Sequence, residues 1–291
     1  MVTVPAHCIA CEGVAHSARA VLDRVIAMRW EVDRLASMSR EEASLISRFA
    51  RLTLLNVLAN ITVPLASLVD TALLGHLEDL RFLAGVALAV VLFEYVYWSF
   101  GFLRMGTTGT TAQAWGRGDI QGVFLTLYRS LVVALMLAAG ILVLQLPLRE
   151  LGFSLLSGAP EVEAAGRDYF NARIWAAPAA LSNFVLLGWF LGREESGAAL
   201  IMTVVANLTN IICNTIFIVY LGWAAFGAGL GTTISQYAML GTGLLLGSRR
   251  PGRIPWHWNQ VIEGPALKSM FRLNRDILLR TVALVSAFAV F

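Results

Sequence analysis

The chain has 291 residues, of which 57% are hydrophobic and only 14% charged, and its mean hydropathy is +0.70. A soluble domain carries about 25% charged residues, so this composition excludes a soluble globular or nucleic-acid-binding protein and indicates an all-α, polytopic membrane protein. The formal charge of +3 matters less than its placement, and it rests almost wholly on arginine, Lys268 being the sole lysine.

Residues 1–47 form an N-terminal extension unlike the rest. Val21, Val25, Met28, Val32 and Leu35 recur at helical spacing between Arg24, Glu31 and Arg34, an amphipathic pattern that could lie on a membrane surface. The stronger reading is a poorly fixed extension, or a mis-assigned start, because Met38 opens a stretch that reads as a natural beginning. Cys8 and Cys11 make a C-x-x-C beside His7 and His16, but no second pair follows to complete four zinc ligands. No metal site and no cofactor are expected. No cleavable signal peptide is visible.

Residues 48–248 contain six apolar spans, each near the ~20 residues that cross a bilayer. They are expected at 52–74, 83–103, 123–147 (stopping at Pro147), 170–192 (kinked at Pro178), 198–221 and 224–247. A basic loop follows at 249–276. A seventh helix begins near Ile277, and the chain stops at Phe291, too soon to span, which reads as truncation. Arginine placement sets orientation by the positive-inside rule. Arg40, Arg48 and Arg51 precede helix one, Arg104 and Arg117 follow helix two, and Arg249, Arg250, Arg253, Lys268, Arg272 and Arg275 follow helix six. The alternate loops carry fewer, so the N-terminus is expected in the cytoplasm of a plasma membrane, the inner membrane of a bacterium.

Asp70 lies well inside the first span. A carboxylate at membrane depth costs roughly 2.5–3.5 kcal/mol on insertion scales and usually marks a proton or ion path. Asn207, Asn210 and Asn214 share one face of helix five, and Asn214 falls at the depth of Asp70, ~24–27 Å from the inner end at ~1.5 Å per residue. Such a stripe either glues helices or lines a cavity. Glu94 is a second intramembrane acid. It could face the same cavity or pair with Gln236 at similar depth, while Tyr95, Tyr97 and Trp98 around it offer an aromatic wall suited to lipophilic or cationic ligands. Gly116-Arg117-Gly118-Asp119 matches an intramembrane protease string but falls in a loop. H-E-x-x-H, G-x-S-x-G and P-loop motifs are absent, so a membrane enzyme is the weaker class.

The string VPLASLVDTALLGHL (63–77), followed by LAGVALAVVLFEYVYWSFGFLRMGTTGTTAQAWGRGD (83–119), closely resembles the multidrug and toxic compound extrusion (MATE) family, nearest to its DinF-like branch. The likeness covers about residues 45–291, the first half of such a transporter. It implies one six-helix lobe of a twelve-helix protein that exchanges protons or sodium for organic substrates, with membrane lipid, a small organic substrate and a missing C-terminal lobe as partners. Asp70 matches the helix-one acid that takes the coupling proton. Asn210 and Asn214 match a helix-five polar pair whose second member is Asp in some relatives, and Leu55 stands where a helix-one proline is often found. Pro64, Gly101, Arg104, Gly106 and Gln113 read as structural positions of the two strings. The resemblance implies a secondary antiporter for cationic or lipophilic compounds, in which substrate and proton compete for Asp70. One rival is a lipid-linked precursor flippase of the same superfamily, whose cavity would be strongly cationic. The other is a non-functional fragment of a broken transporter gene.

Overall fold

The computed structural model describes residues 50, 53–54, 57–58, 61–62, 68–77, 79–156 and 158–251. The 1–47 extension, Leu55, Pro64, the basic loop past residue 251 and the expected seventh helix lie outside the described residues. Those from 54 onward belong to one compact unit. In chain order the helices are α1 (68–75), α2 (Leu80–Ser99), α3 (Phe102–Gly116), α4 (Ile120–Val143), α5 (Gln145–Leu156), α6 (Pro160–Arg173), α7 (Ala177–Gly192), α8 (Ser196–Asn214) and α9 (Ala224–Ser248). A single 3-10 turn, Ile174–Ala176, joins α6 to α7, and a π-helical turn, Thr215–Tyr220, extends α8. No strand occurs among the described residues.

Local chemistry sets the helix ends. The Asp79 carboxylate accepts from the Arg81 N–H at 2.9 Å at the start of α2, and Asp119 accepts from the Gly122 N–H at 2.8 Å at the start of α4. Each satisfies a donor that has no intrahelical partner. Pro160 opens α6, where its missing N–H costs nothing. Gly118, at φ 71°, takes the left-handed backbone that turns the chain from α3 into α4.

Four helical stretches among the described residues are long and apolar enough to cross a bilayer: Leu80–Gly116, Ile120–Val143, Pro160–Gly192 and Ser196–Tyr220. With 25 residues, α9 matches them in length but is richer in Gly, Thr and Ser. Three expected boundaries are corrected. The helix of the second span does not end at residue 103: after a break at Phe100–Gly101 it runs on through α3, so Arg104 sits on a helix and not in a loop. The α3 threonines make this possible by returning their hydroxyls to the helix, Thr108 to the Arg104 carbonyl and Thr110 to the Gly106 carbonyl, both at 2.8 Å. The third span stops at Val143, and Pro147 lies in the first turn of the short α5. The fourth begins at Pro160, ten residues earlier than expected. Pro178 lies in the first turn of α7, just after the 3-10 turn, where a proline-linked bend was expected.

The α6–α7 stretch is the centre of the packing. In its most apolar 18-residue window 72% is buried, against 22–39% in the other three, as befits a helix apolar all round. Association inside a membrane gains little from the hydrophobic effect and depends on close packing. Glycines supply it. A Cβ on Gly188 would lie 2.6 Å from the Arg104 carbonyl oxygen, and one on Gly192 would lie 2.7 Å from that of Thr108, so α7 rests on the α3 backbone. Gly85 and Gly166 do the same between α2 and α6, with a Cβ on Gly85 2.7 Å from the Gly166 nitrogen. Trp189, fully buried, donates its indole N–H to the Val123 carbonyl at 3.0 Å and ties α7 to α4.

Candidate functional site

Two polar regions lie inside the helical lobe. The first joins α1, α8 and α9. Asn214 Nδ2 donates to Asp70 Oδ1 at 2.7 Å. The Asn210 amide satisfies both its ends only with its nitrogen toward Asp70. It then donates to Oδ1 at 3.0 Å and Oδ2 at 3.1 Å, while its oxygen accepts from Thr232 Oγ1 at 3.3 Å and Asn214 Nδ2 at 3.2 Å. The single Thr232 hydroxyl hydrogen is shared with the Ala228 carbonyl, 2.9 Å from Oγ1. Asn214 is fully buried and Asn210 nearly so. The spacing of Asn210 and Asn214 puts both on the side of α8 that meets α1, so the equal depths of Asp70 and Asn214 become a direct contact. Gly231 makes room for it: a Cβ there would collide with Asn214 Oδ1. Sequence reasoning missed Gly231 and Thr232, and a small residue facing the asparagine pair was the available signal.

Asn207 departs from this group. It lines a second region, an inner cavity of about 260 Å³ that also touches Arg104, Arg173, Asn183, Thr203 and Gln236. Asn183 donates to the Gln236 carbonyl at 2.9 Å and to Gln236 Oε1 at 3.0 Å. The expected pairing of Gln236 with Glu94 is therefore corrected, since Asn183 occupies the Gln236 side chain. Glu94 lines a neighbouring, more open cavity of about 640 Å³ with Tyr95, Tyr97, Trp98, Gly101, Arg104 and Arg173. Asp70 is not among the residues lining either of these two cavities, so the expectation that Glu94 shares a cavity with it is not met there, although Arg173, which lines both, acts electrostatically on the Asp70 carboxylate. Asn207 lies three residues before Asn210 on α8 and lines the cavity bounded by residues of α7 and α9, whereas Asn210 is turned to Asp70 on α1.

The two cavities share Tyr97, Arg104, Arg173 and Phe184. Arg173 donates to Tyr169 Oη at 2.6 Å and lies over the Phe93 ring at 4.7 Å and the Tyr169 ring at 5.4 Å. Phe93 is stacked on Phe170 at 5.0 Å, which fixes this aromatic box. Thr233 Oγ1 donates to the Ala172 carbonyl at 2.9 Å and holds the end of α6 against α9. Tyr95 and Trp98 are each 70% exposed and form a wide aromatic wall. Gly106 is buried in α3, and Gln113 is exposed near its end; neither lines a described cavity.

A third set of charges lies in and beyond the ends of the candidate spans. Arg167 Nη1 contacts Glu150 Oε1 at 2.7 Å, and Arg149 Nη2 contacts the same oxygen at 3.0 Å. The hydrogen bonds from Arg167 and Arg149 hold the Glu150 carboxyl below its ordinary range. Arg193, nearly buried after α7, pairs with Glu195 at 3.0 Å, and Glu195 pairs with Arg250 at 2.9 Å, linking the α7–α8 turn to the end of α9. No cluster of three or more His, Cys, Asp or Glu able to hold a metal occurs among the described residues.

The MatE family matches residues 56–216. DNA damage-inducible protein F of Escherichia coli is 38% identical over 240 residues, which are 80% of this chain and 51% of that protein. Multidrug and toxin extrusion protein 1 of Homo sapiens is 27% identical over 183 residues, 62% of this chain and 32% of its own length. A solved MOP superfamily transporter from Pyrococcus furiosus superposes with a TM-score of 0.73 at 21% identity, covering 83% of this chain and 54% of that one. That likeness shows the fold. The chain spans about half the length of the bacterial relative and less of the human one. The relatives are transporters and not enzymes, the helices are those of a multi-pass membrane protein, and the family match covers more than half the sequence: the chain belongs to the MatE family.

Proposed function

We propose that this chain is one lobe of a secondary antiporter that exports organic compounds in exchange for protons or sodium, with Asp70 as the coupling site. The observation that carries the proposal is the surroundings of Asp70. Its carboxylate receives neutral amide donors from Asn210 and Asn214, and no arginine or lysine forms an ion pair with it among the described residues. A carboxylate held this way retains a free choice between a proton and a small cation. Sodium would find oxygens in Asp70, Thr232 and the Asn214 side chain, whose buried Oδ1 has no partner. Because Asp70 lies apart from the two cavities, exchange would be conformational: filling Asp70 changes how α1 packs on α8 and α9, and the lobe rocks against a C-terminal partner lobe. The setting is a bacterial inner membrane, with the N-terminus in the cytoplasm and nucleic acid playing no part.

The test is gradient-driven efflux in vesicles by the two-lobed protein at matched levels. Asp70→Asn should insert and fold yet lose efflux driven by a pH or sodium gradient. Wild-type rates would move the coupling site elsewhere, with Glu94 next in line. Orientation is checked by cysteine labelling, with positions 115–120 expected to react from the cytoplasm and 150–156 from outside. The flippase reading has one observation in its favour, the two arginines at the cavity wall.

A further inference from the structure

We propose that the two joined cavities bind an amphiphile with an anionic head, held between Arg104 and Arg173, its apolar body lying along Tyr95 and Trp98. This rests on the transport reading above and names the chemistry of the substrate. Arg104 and Arg173 are the charged residues common to both cavity walls. Glu94 is the single carboxylate in either lining, so two guanidiniums face one acid. Among the described residues neither guanidinium is in an ion pair. Arg173 is held by the Tyr169 hydroxyl and two aromatic faces, and its charge is felt by the Asp70 carboxylate without a direct ion pair between them.

Both guanidiniums are half-buried, and a charge partly withdrawn from water gains from a counter-ion. A guanidinium is also the group best shaped to take a carboxylate, sulfate or phosphate by paired hydrogen bonds. A third donor points the same way: the buried Asn207 Nδ2 in the inner cavity has no acceptor. The open cavity, at about 640 Å³, falls within the ~300–1,000 Å³ of small-molecule sites, and its exposed aromatic wall suits an apolar body. A purely cationic drug would meet two like charges here.

Two sources share this chemistry: an anionic membrane lipid entering from the side, or a soluble amphiphilic anion. The experiment uses the full chain in nanodiscs of phosphatidylcholine, with 11-(dansylamino)undecanoic acid as the fluorescent probe. Saturable binding is expected. The matched probe ending in trimethylammonium should bind at least ten-fold more weakly. Arg104→Gln and Arg173→Gln should each weaken the anionic probe about ten-fold or more, and Arg173→Lys, which keeps the charge but not the fork, should fall between. If a glutamine variant fails to fold, the lysine variant carries the test. Nanodiscs containing phosphatidylglycerol separate the sources: competition by the lipid assigns the site to a headgroup, and unchanged affinity assigns it to a soluble anion. Equal binding of the two probes, or unchanged affinity in every arginine variant, overturns the proposal. Binding at equilibrium needs no gradient, so its failure is distinct from a failure of Asp70-linked exchange.

Discussion

Asp70 and Arg173 both carry a charged group on an otherwise apolar helical lobe, yet their surroundings differ. Asp70 is met by neutral amides from one helix and sits away from either cavity. Arg173 is framed by aromatic rings and a phenol, and it faces open space in both cavities. Hydrogen bonds to a charged group are worth ~1.5–3 kcal/mol each, so the amides make ionised Asp70 tolerable without fixing it in an ion pair. The rings around Arg173 position the guanidinium, one of whose donors goes to Tyr169 Oη. On the proposed function, the difference would separate the group that takes the driving ion from the groups that hold the cargo, with α8 reaching both regions through Asn214 and Asn207.

The largest expected effect dissociates the two regions. Asp70→Asn should abolish gradient-driven efflux by the two-lobed protein while the anionic probe still binds the chain; Arg173→Gln should cost the probe its site. Loss of both functions in either variant would merge the two regions into one. A smaller but sharper effect is expected from Asn214→Asp. Two carboxylates in contact repel, which raises one apparent pKa of the pair, so the pH profile of efflux should move toward higher pH. An unchanged profile, with normal expression, would reduce Asn214 to a helix-gluing role.

Packing gives a third comparison. Gly231→Ala places a methyl against Asn214 Oδ1, and overpacking of this kind costs ~1–3 kcal/mol. It should lower the thermal midpoint and weaken coupling. Gly241→Ala on the same helix meets nothing within 4 Å and should be neutral or slightly stabilising. Equal effects from both would detach Gly231 from the Asp70 site.

The smallest effect belongs to the exposed ion cluster. Glu150 has its carboxyl pKa lowered by Arg167 and Arg149, so its contribution is present above the ordinary carboxylate range and lost as pH falls through the lowered value. Glu150→Gln should therefore differ from wild type slightly at neutral pH and not at all in strong acid, as read by thermal unfolding at several pH values. A larger gap in acid would reverse the sign of the argument.

The fold class was legible in the sequence because it follows from local quantities, apolar run length and helical spacing. Asp70, Asn210 and Asn214 could be named in this way, since equal depth and a shared face are arithmetic on residue numbers. The end of the second span was not legible. Arg104 looks like a loop residue by charge, and the tight seat of α3 against Gly188 and Gly192, with threonines bonding back to their own helix, keeps it helical. Nor could spacing reveal that Asn207 leaves its two neighbours, that Glu94 and Gln236 face different cavities, or that Arg104 and Arg173 converge. Those outcomes depend on which helix packs against each face, and such choices are settled by glycine contacts and aromatic stacking between segments far apart in the chain.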